Sequence, residues 1–315
     1  MITQDELLKE VFAILTEEYH HRHPFQHLLQ NGQLTHTQLQ AWALNRYYYQ
    51  SQIPIKDAIL ISRLPDNYLR TIWRQRLVDQ DGDDQHLGGL ARWLQLTTAL
   101  GLESHFVKSN TGILPATRFA VDAYVNFISS SSVLAAIAST LTEMSAHQLI
   151  QVRMEGMLKH YDFIDENTLS YFSERLKSND GKSTVALNYI MQHMHTLQHV
   201  EEVLGAVRFK CQMLWAQLDA LYLAYVDPGM IPPGAFDPLV QLNSAFNLRS
   251  GVILESLKTQ SINRLQGPER SFELNDTALS LIQELNGKKT LSEIIAKLKQ
   301  RYPQQETRIQ QDIFA

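Results

Sequence analysis

Apolar residues recur at helical spacing along almost the whole chain, and no run of residues alternates as a set of strands would. Leu7, Val11, Phe12 and Leu15 fall on one helical face. The same periodicity predicts a long helix over 35–62, interrupted or bent at Pro54, and another running from an Asp66 cap to Asp79. Further helices are predicted over 87–100, 117–128, 131–160, 165–177 and 183–226, and DGDDQHLGG (81–89) is a loop by composition. Glycine and proline, 14 and 10 of 315 residues, are too scarce for a turn-rich sandwich or barrel. The predicted fold class is all-α.

The pattern breaks at Asp227. DPGMIPPGAFDP carries Pro228, Pro232, Pro233 and Pro238, and no continuous helix passes through it. The sequence therefore predicts a helical domain over 1–226, a Pro-rich linker over 227–265 and a small second domain over 266–315. In that tail a helix to Leu285, a stop at Asn286-Gly287, a Thr290/Glu293 capping box and a last piece after Tyr302-Pro303 predict a small helix-turn-helix-like bundle.

Charge narrows the partners. Lys+Arg minus Asp+Glu is 28 − 33 = −5. Divided at residue 240, the tail holds 10 and 8 and the front 18 and 25, so neither part offers a strongly basic field to nucleic acid. The single Cys211 excludes an intrachain disulfide and a multi-cysteine zinc site. No apolar run approaches the ~18 residues of a membrane span. MITQDELLKE is acidic and amphipathic, unlike a secretory signal. The expectation is a soluble, cytoplasmic protein with no membrane partner.

Several side chains could carry chemistry. Arg46, Tyr49, Gln50 and Ile53 share a helical stripe that Lys56 extends by a turn, with Tyr47 and Tyr48 beside it. Two arrangements are compatible with it. Turned inward it makes a cationic, tyrosine-rich pocket for a planar acid; turned outward it is a solvated face of snorkelling cations. Glu143 and His147 stand four apart with Arg153 beyond them, as an acid–base or metal pair would, or as a solvated pair. His193, His195 and His199 resemble metal ligands without the carboxylate partners of a di-iron bundle. His20, His21 and His23 precede Pro24, where capping is the alternative role. Cys211, in a Phe- and Leu-rich helix, is expected to be a buried, inert thiol.

Taken together these strings resemble the pyrroloquinoline quinone synthase (PqqC) family. The matching segments are YHHRHPF (19–25), NRYYYQSQIPIKD (45–57), WRQRLVDQDG (73–82), GGLARWL (88–94), LPATRFAVDAYVNF (114–127), STLTEM (139–144), YFSERL (171–176) and FKCQMLWAQLDALYLAY (209–225), collinear over most of the first domain. FELNDTALSLIQELNGKKTLSEIIAKLKQRYP (272–303) resembles the PqqD family, small domains that present a precursor peptide to its modifying enzymes. The resemblance implies a heme-oxygenase-like helical bundle without heme, usually a homodimer, followed by a winged-helix-like PqqD-type domain. It implies ring closure and O2-dependent oxidation of a polycarboxylated amino-quinone, with peroxide released and no metal or organic cofactor. The related metal-dependent branch would be expected to show a His-x-x-x-Asp-x-x-His helix where this chain has YFSERLKS (171–178).

Residue by residue, the resemblance implies catalytic roles for His20, Glu143, Tyr171, Arg175 and Lys210. It implies substrate binding by Tyr19, Arg46, Tyr49, Gln50, Lys56, Arg76, Gln80, Tyr124, Ile150 and Arg153. Gln80 and Ile150 stand where the family carries histidines, its main proton carriers at the oxygen-binding end. Gln is no general base near neutral pH and Ile moves no proton. A divergent, non-catalytic binder of a quinone-like acid or precursor peptide is the alternative. The PqqD-like part is expected to be abbreviated, its leading hairpin reduced to RLQGPERSFELN.

Overall fold

The computed structural model describes residues 2–177, 181–237, 248, 252–257, 262–267 and 271–303. The chain divides into two units, Met1–Phe236 and Asp237–Ala315.

The first unit is helical. α1 (Gln4–Glu18) opens with a Thr3/Glu6 capping box and buries Leu7, Val11, Ile14 and Leu15. Phe12 is exposed instead, because it lies about 100° around the helix from Val11. A 3-10 turn (His20–Arg22) leads into α2 (Pro24–Gln30). α3 (His36–Arg63) runs through Pro54 without interruption. Pro54 has no N–H for the Gln50 carbonyl one turn back. Gln80 supplies the missing donor, Nε2 to the Gln50 carbonyl at 3.1 Å.

α4 (Asn67–Asp81) is capped by Asp66, which accepts from the Tyr68 and Leu69 amides, a cap worth about 1 kcal/mol. Next come α5 (Gly89–Ala99), α6 (Ser104–Lys108) and α7 (Pro115–Ser130). The stretch 131–160, read as one helix, is three pieces: α8 (Val133–Ala138), a 3-10 segment (Ser139–Ser145) and α9 (Ala146–His160). α10 (Ser170–Lys177) and α11 (Gly181–His193) precede α12 (Leu197–Tyr225). Residues 183–226 do not form one helix, because Thr196 caps α12 by accepting from the His199 amide. No helix among the described residues is long and apolar enough to cross a membrane.

The stretch after α12 departs from the expected linker. Phe236 is buried, donates its amide to the Gly112 carbonyl at 2.7 Å and accepts the Tyr225 hydroxyl at 2.7 Å. Proline ends the helix, but an apolar ring and two hydrogen bonds hold residues up to 236 in the helical unit.

The second unit contains an antiparallel sheet that the sequence did not foresee. β1 (Ile253–Leu257), β2 (Ile262–Gln266) and β3 (Ser271–Leu274) lie in the order β1-β2-β3, with Ile253 opposite Gln266 and Gln266 opposite Ser271. β1 and all but the last residue of β2 fall inside the segment read as linker, so the sheet is fuller than a shortened hairpin. ILESL, INRLQ and SFEL are too short and mixed to signal strands. α13 (Asp276–Glu284), capped by Asn275, and α14 (Leu291–Arg301), opened by the Thr290/Glu293 box, pack through Leu281, Leu285, Ile294 and Leu298. The helical piece expected after Pro303 and the linker stretch 238–247 lie outside the described residues.

Candidate active site

The core of the helical unit is two apolar clusters, and the candidate site lies at their seam. Tyr19, Tyr124, Leu149 and Leu214 belong to one; Trp93, Tyr171 and Phe172 to the other; Tyr49 packs against both. Between them is a cavity lined by Tyr19, His20, Arg46, Tyr49, Gln50, Lys56, Arg76, Tyr124, Glu143, Ile150, Arg153, Tyr171, Arg175 and Lys210. Every site residue named from the sequence is there except Gln80.

The α3 stripe faces inward. Arg46, Tyr49, Gln50, Ile53 and Lys56 all line the cavity, and Gln50 and Lys56 are only 2% and 4% exposed. That excludes the solvated-face arrangement. The Arg46 guanidinium stacks on the Tyr49 ring at 4.2 Å. From α12, Lys210 donates to the Tyr49 hydroxyl at 2.7 Å and rests 3.5 Å from the Tyr124 ring centroid. Burial pushes the Tyr49 phenol up to about 12 and the Tyr124 phenol well above its ordinary value. Burial, then the nearby Lys56 and Arg46 charges, pull Lys210 well below the usual lysine range.

Opposite charges alternate along one wall. Lys56 pairs with Asp57, which accepts from Arg76 Nε at 3.3 Å. Arg76 then grips Glu143 with both terminal nitrogens, Nη1 to Oε2 at 2.9 Å and Nη2 to Oε1 at 2.5 Å. Burial alone would raise the Glu143 carboxyl. The Arg76 guanidinium overcomes it and holds the group well below the usual carboxylate range.

His20 and Arg153 form the far end. Burial, then the Arg153 and Arg46 charges, push His20 well below its ordinary value, so the imidazole is neutral. Its Nδ1 and the Arg153 Nε are buried without a hydrogen-bond partner among the described residues. Arg153 Nη2 donates to Gln26 Oε1 at 2.7 Å, and burial followed by the Arg46 charge lowers Arg153 to about 10. Two buried donors or acceptors left unmet inside a cavity are groups that a bound molecule would satisfy.

α10 contributes Tyr171 and Arg175. The Tyr171 hydroxyl donates to Gln50 Oε1 at 2.8 Å. Gln80 stands behind this pair, its Nε2 3.2 Å from the same oxygen, in the wall of an adjoining cleft. The Gln50 carboxamide intervenes, so Gln80 is placed to orient Gln50 and does not line the cavity. Ile150 does line it, presenting an apolar side chain that moves no proton.

The other histidines are elsewhere. His147 is exposed while Glu143 turns inward, so the pair read from spacing does not form. His86 is exposed against Asp83. His193 stacks on Tyr189 at 3.9 Å, and His199 Nδ1 accepts the His195 amide. His23 caps α2 and meets Asp219 at 3.0 Å. Among the described residues no three His, Cys, Asp or Glu side chains gather as metal ligands would. Cys211 is buried, and burial raises its thiol to about 12.

Sequence reasoning missed Asp57 and the Ser139, Thr140 and Thr142 lining. Asp57 follows Ile53 by four residues and precedes the buried Leu60 by three, so the helical count alone puts it inside. The Ser/Thr lining comes from the 3-10 segment, whose spacing carries no such signal.

Residues 12–220 match the TENA/THI-4/PQQC family, and residues 264–315 match coenzyme PQQ synthesis protein D (PqqD). The bifunctional coenzyme PQQ synthesis protein C/D of Methylorubrum extorquens is 43% identical, spanning 100% of this chain and 92% of its own length. The pyrroloquinoline-quinone synthase of Gluconobacter oxydans is 53% identical over 76% of this chain and 99% of its own. Among solved structures, a domain of unknown function with a heme oxygenase-like fold from Shewanella denitrificans superposes with a TM-score of 0.61 at 13% identity, covering 75% of this chain and 99% of that one. A TenA homolog from Pseudomonas syringae gives 0.58 at 12% identity, covering 70% and 92%. These two establish the fold alone.

Proposed function

The chain belongs to the TENA/THI-4/PQQC family and ends in a PqqD domain, and from that premise we propose that it is an oxidoreductase of pyrroloquinoline quinone biosynthesis. It closes the ring of a polycarboxylated amino-quinone precursor and oxidises it with O2, releasing peroxide.

One observation carries the substrate class. Arg46, Lys56, Arg76, Arg153, Arg175 and Lys210 converge from five helices on one cavity whose lining includes a single carboxylate, Glu143. With Asp57 behind them the formal sum is 6 − 2 = +4 among the described residues. Crowded, buried cations of this kind are held together against their repulsion and desolvation, and an anionic guest offsets both. Tyr49, Tyr124, Tyr171, Trp93 and Phe172 supply flat apolar surface for a ring system.

The chemistry follows from which groups hold protons. The substrate is electron-rich and delivers electrons to O2 itself, so the proposal assigns no metal or organic cofactor. Neutral His20, with Nδ1 unengaged, accepts a proton once the substrate's carboxylates offset the Arg153 and Arg46 charges that disfavour its protonated form. Lys210 and the cationic arginines stabilise the reduced-oxygen anion as it forms. Tyr171, aligned by Gln50, and Glu143, held by Arg76, complete the hydrogen-bonding groups.

The proposal includes a cytoplasmic setting and a homodimer. Apolar Phe119 on α7 and Leu223 on α12, helices that pack together, are exposed surface that a second copy would cover. It also includes capture of a precursor peptide by the C-terminal unit, where β1 and β3 are the outer strands of the sheet among the described residues, a place for strand addition.

Purified protein mixed in air with the ring-open intermediate should change the visible spectrum as peroxide accumulates. No change and no binding would contradict the proposal. The alternative reading, a binder without turnover, is disfavoured by the 53% identity to a pyrroloquinoline-quinone synthase. Binding without oxygen uptake would support it.

A further inference from the structure

Asp57 is 0% exposed, and both its oxygens are occupied: Oδ1 by the Lys56 ammonium, Oδ2 by Arg76 Nε at 3.3 Å. It does not line the inner cavity, whereas Lys56 and Arg76 do. Glu143, the other anion of the wall, faces the cavity with its side chain 24% exposed, so an incoming carboxylate can compete with it for the Arg76 fork. It cannot reach Asp57. The two anions therefore differ in kind: one is exchangeable, the other is a fixed counter-charge.

We propose that Asp57 is the positioning residue of the anion-binding wall, clamping the Lys56 ammonium and the Nε edge of Arg76 so that both present their remaining donors to the substrate. This rests on the oxidase reading for the identity of that substrate. The clamp itself is made by the protein's own side chains. Burial and the Arg76 charge both disfavour the Lys56 ammonium, and Asp57 is the largest opposing influence. Replacing it by a neutral group leaves Lys56 facing Arg76 with Glu143 already committed, and the ammonium sheds its proton sooner.

The test has two arms on the full chain. In ligand-free protein, NMR titration of the Lys56 side chain compares wild type with Asp57→Asn. The other groups facing the pair are Tyr49 on α3, Arg76 on α4, Tyr124 on α7, Glu143 on the 3-10 segment, Arg175 on α10 and Lys210 on α12. They are common to both proteins, so the difference reports the clamp. The Lys56 midpoint should fall by about one pH unit or more. In the second arm, titration with pyrroloquinoline quinone should show Asp57→Asn binding about tenfold more weakly above the Lys56 midpoint measured in that variant, recovering towards wild type below that midpoint as Lys56 reprotonates. In a Lys56→Met background most of that loss should vanish. Coincident midpoints, or an equal and pH-independent loss in both backgrounds, would overturn the inference and leave Asp57 a structural spacer. A fallen midpoint with no quinone binding by wild type would uphold the clamp and refute the oxidase reading instead.

Discussion

Gln80 donates through Nε2 to the main-chain carbonyl of Gln50 at 3.1 Å, the carbonyl that Pro54 cannot serve. The same amide approaches Gln50 Oε1, which also accepts the Tyr171 hydroxyl. Gln80 thus repairs a helix and aligns a cavity residue at once. We predict that Gln80→Leu lowers unfolding free energy by about 1–3 kcal/mol, the cost of a buried carbonyl left unpaired. Gln80→His, which retains a ring N–H donor, should recover most of it. Urea unfolding of the two variants checks this; equal losses would count against the repair.

Proton carriage and binding separate at Ile150 and Gln80. Ile150→His places an imidazole on the cavity surface, whereas Gln80→His places one behind Gln50. If oxidation is limited by proton transfer, Ile150→His should raise the turnover rate by about tenfold or more, with little change in KM. A KM change alone would show that the cavity has been reshaped and not rearmed.

Acidification should destabilise the protein through His20. Its folded value lies well below the ordinary 6.5, so its contribution to stability is present above pH 6.5 and lost as pH falls below it. Glu143 has the same sense in a lower window: its folded value lies below the ordinary 4.5, so its contribution is present above pH 4.5 and lost only under stronger acid. Between pH 7.5 and 5.0 the melting temperature of wild type should therefore drop more than that of His20→Asn. Parallel curves would show that His20 is not the group responsible.

Gly89 sits where a Cβ would lie 2.7 Å from Gln80 Oε1 and 3.2 Å from Tyr171 Cε2. Gly89→Ala must displace one of them, at a cost of about 1–3 kcal/mol. Turnover should fall more than binding, because displacing Gln80 disturbs the Gln50–Tyr171 pair that it orients while the cations stay. Unchanged kinetics would mean that the side chains adjust freely.

The helical unit and most of its site were legible in the sequence because both rest on a 3.6-residue period. Arg46, Tyr49, Gln50, Ile53 and Lys56 could be placed on one face by counting, and the structure turns that face inward. Asp57 obeys the same count, four residues after Ile53 and three before the buried Leu60. His147 failed in the opposite sense: Glu143 lies within the 3-10 segment and His147 in the first turn of α9, so the four-residue spacing does not keep them on one face. The sheet was missed because its strands are five residues or fewer, with no clean alternation. Phe236 was assigned to a linker because prolines mark where a helix stops, not where packing stops.

Recognition of acid groups by converging cations is the claim on which the rest depends. Its most direct measurement compares the affinity of the wild-type chain for pyrroloquinoline quinone with that for its methyl ester, which keeps the rings and removes the negative charges. The free acid should bind at least about a hundredfold more tightly, with the gap narrowing as salt is added. Equal affinities, insensitive to salt, would contradict the account.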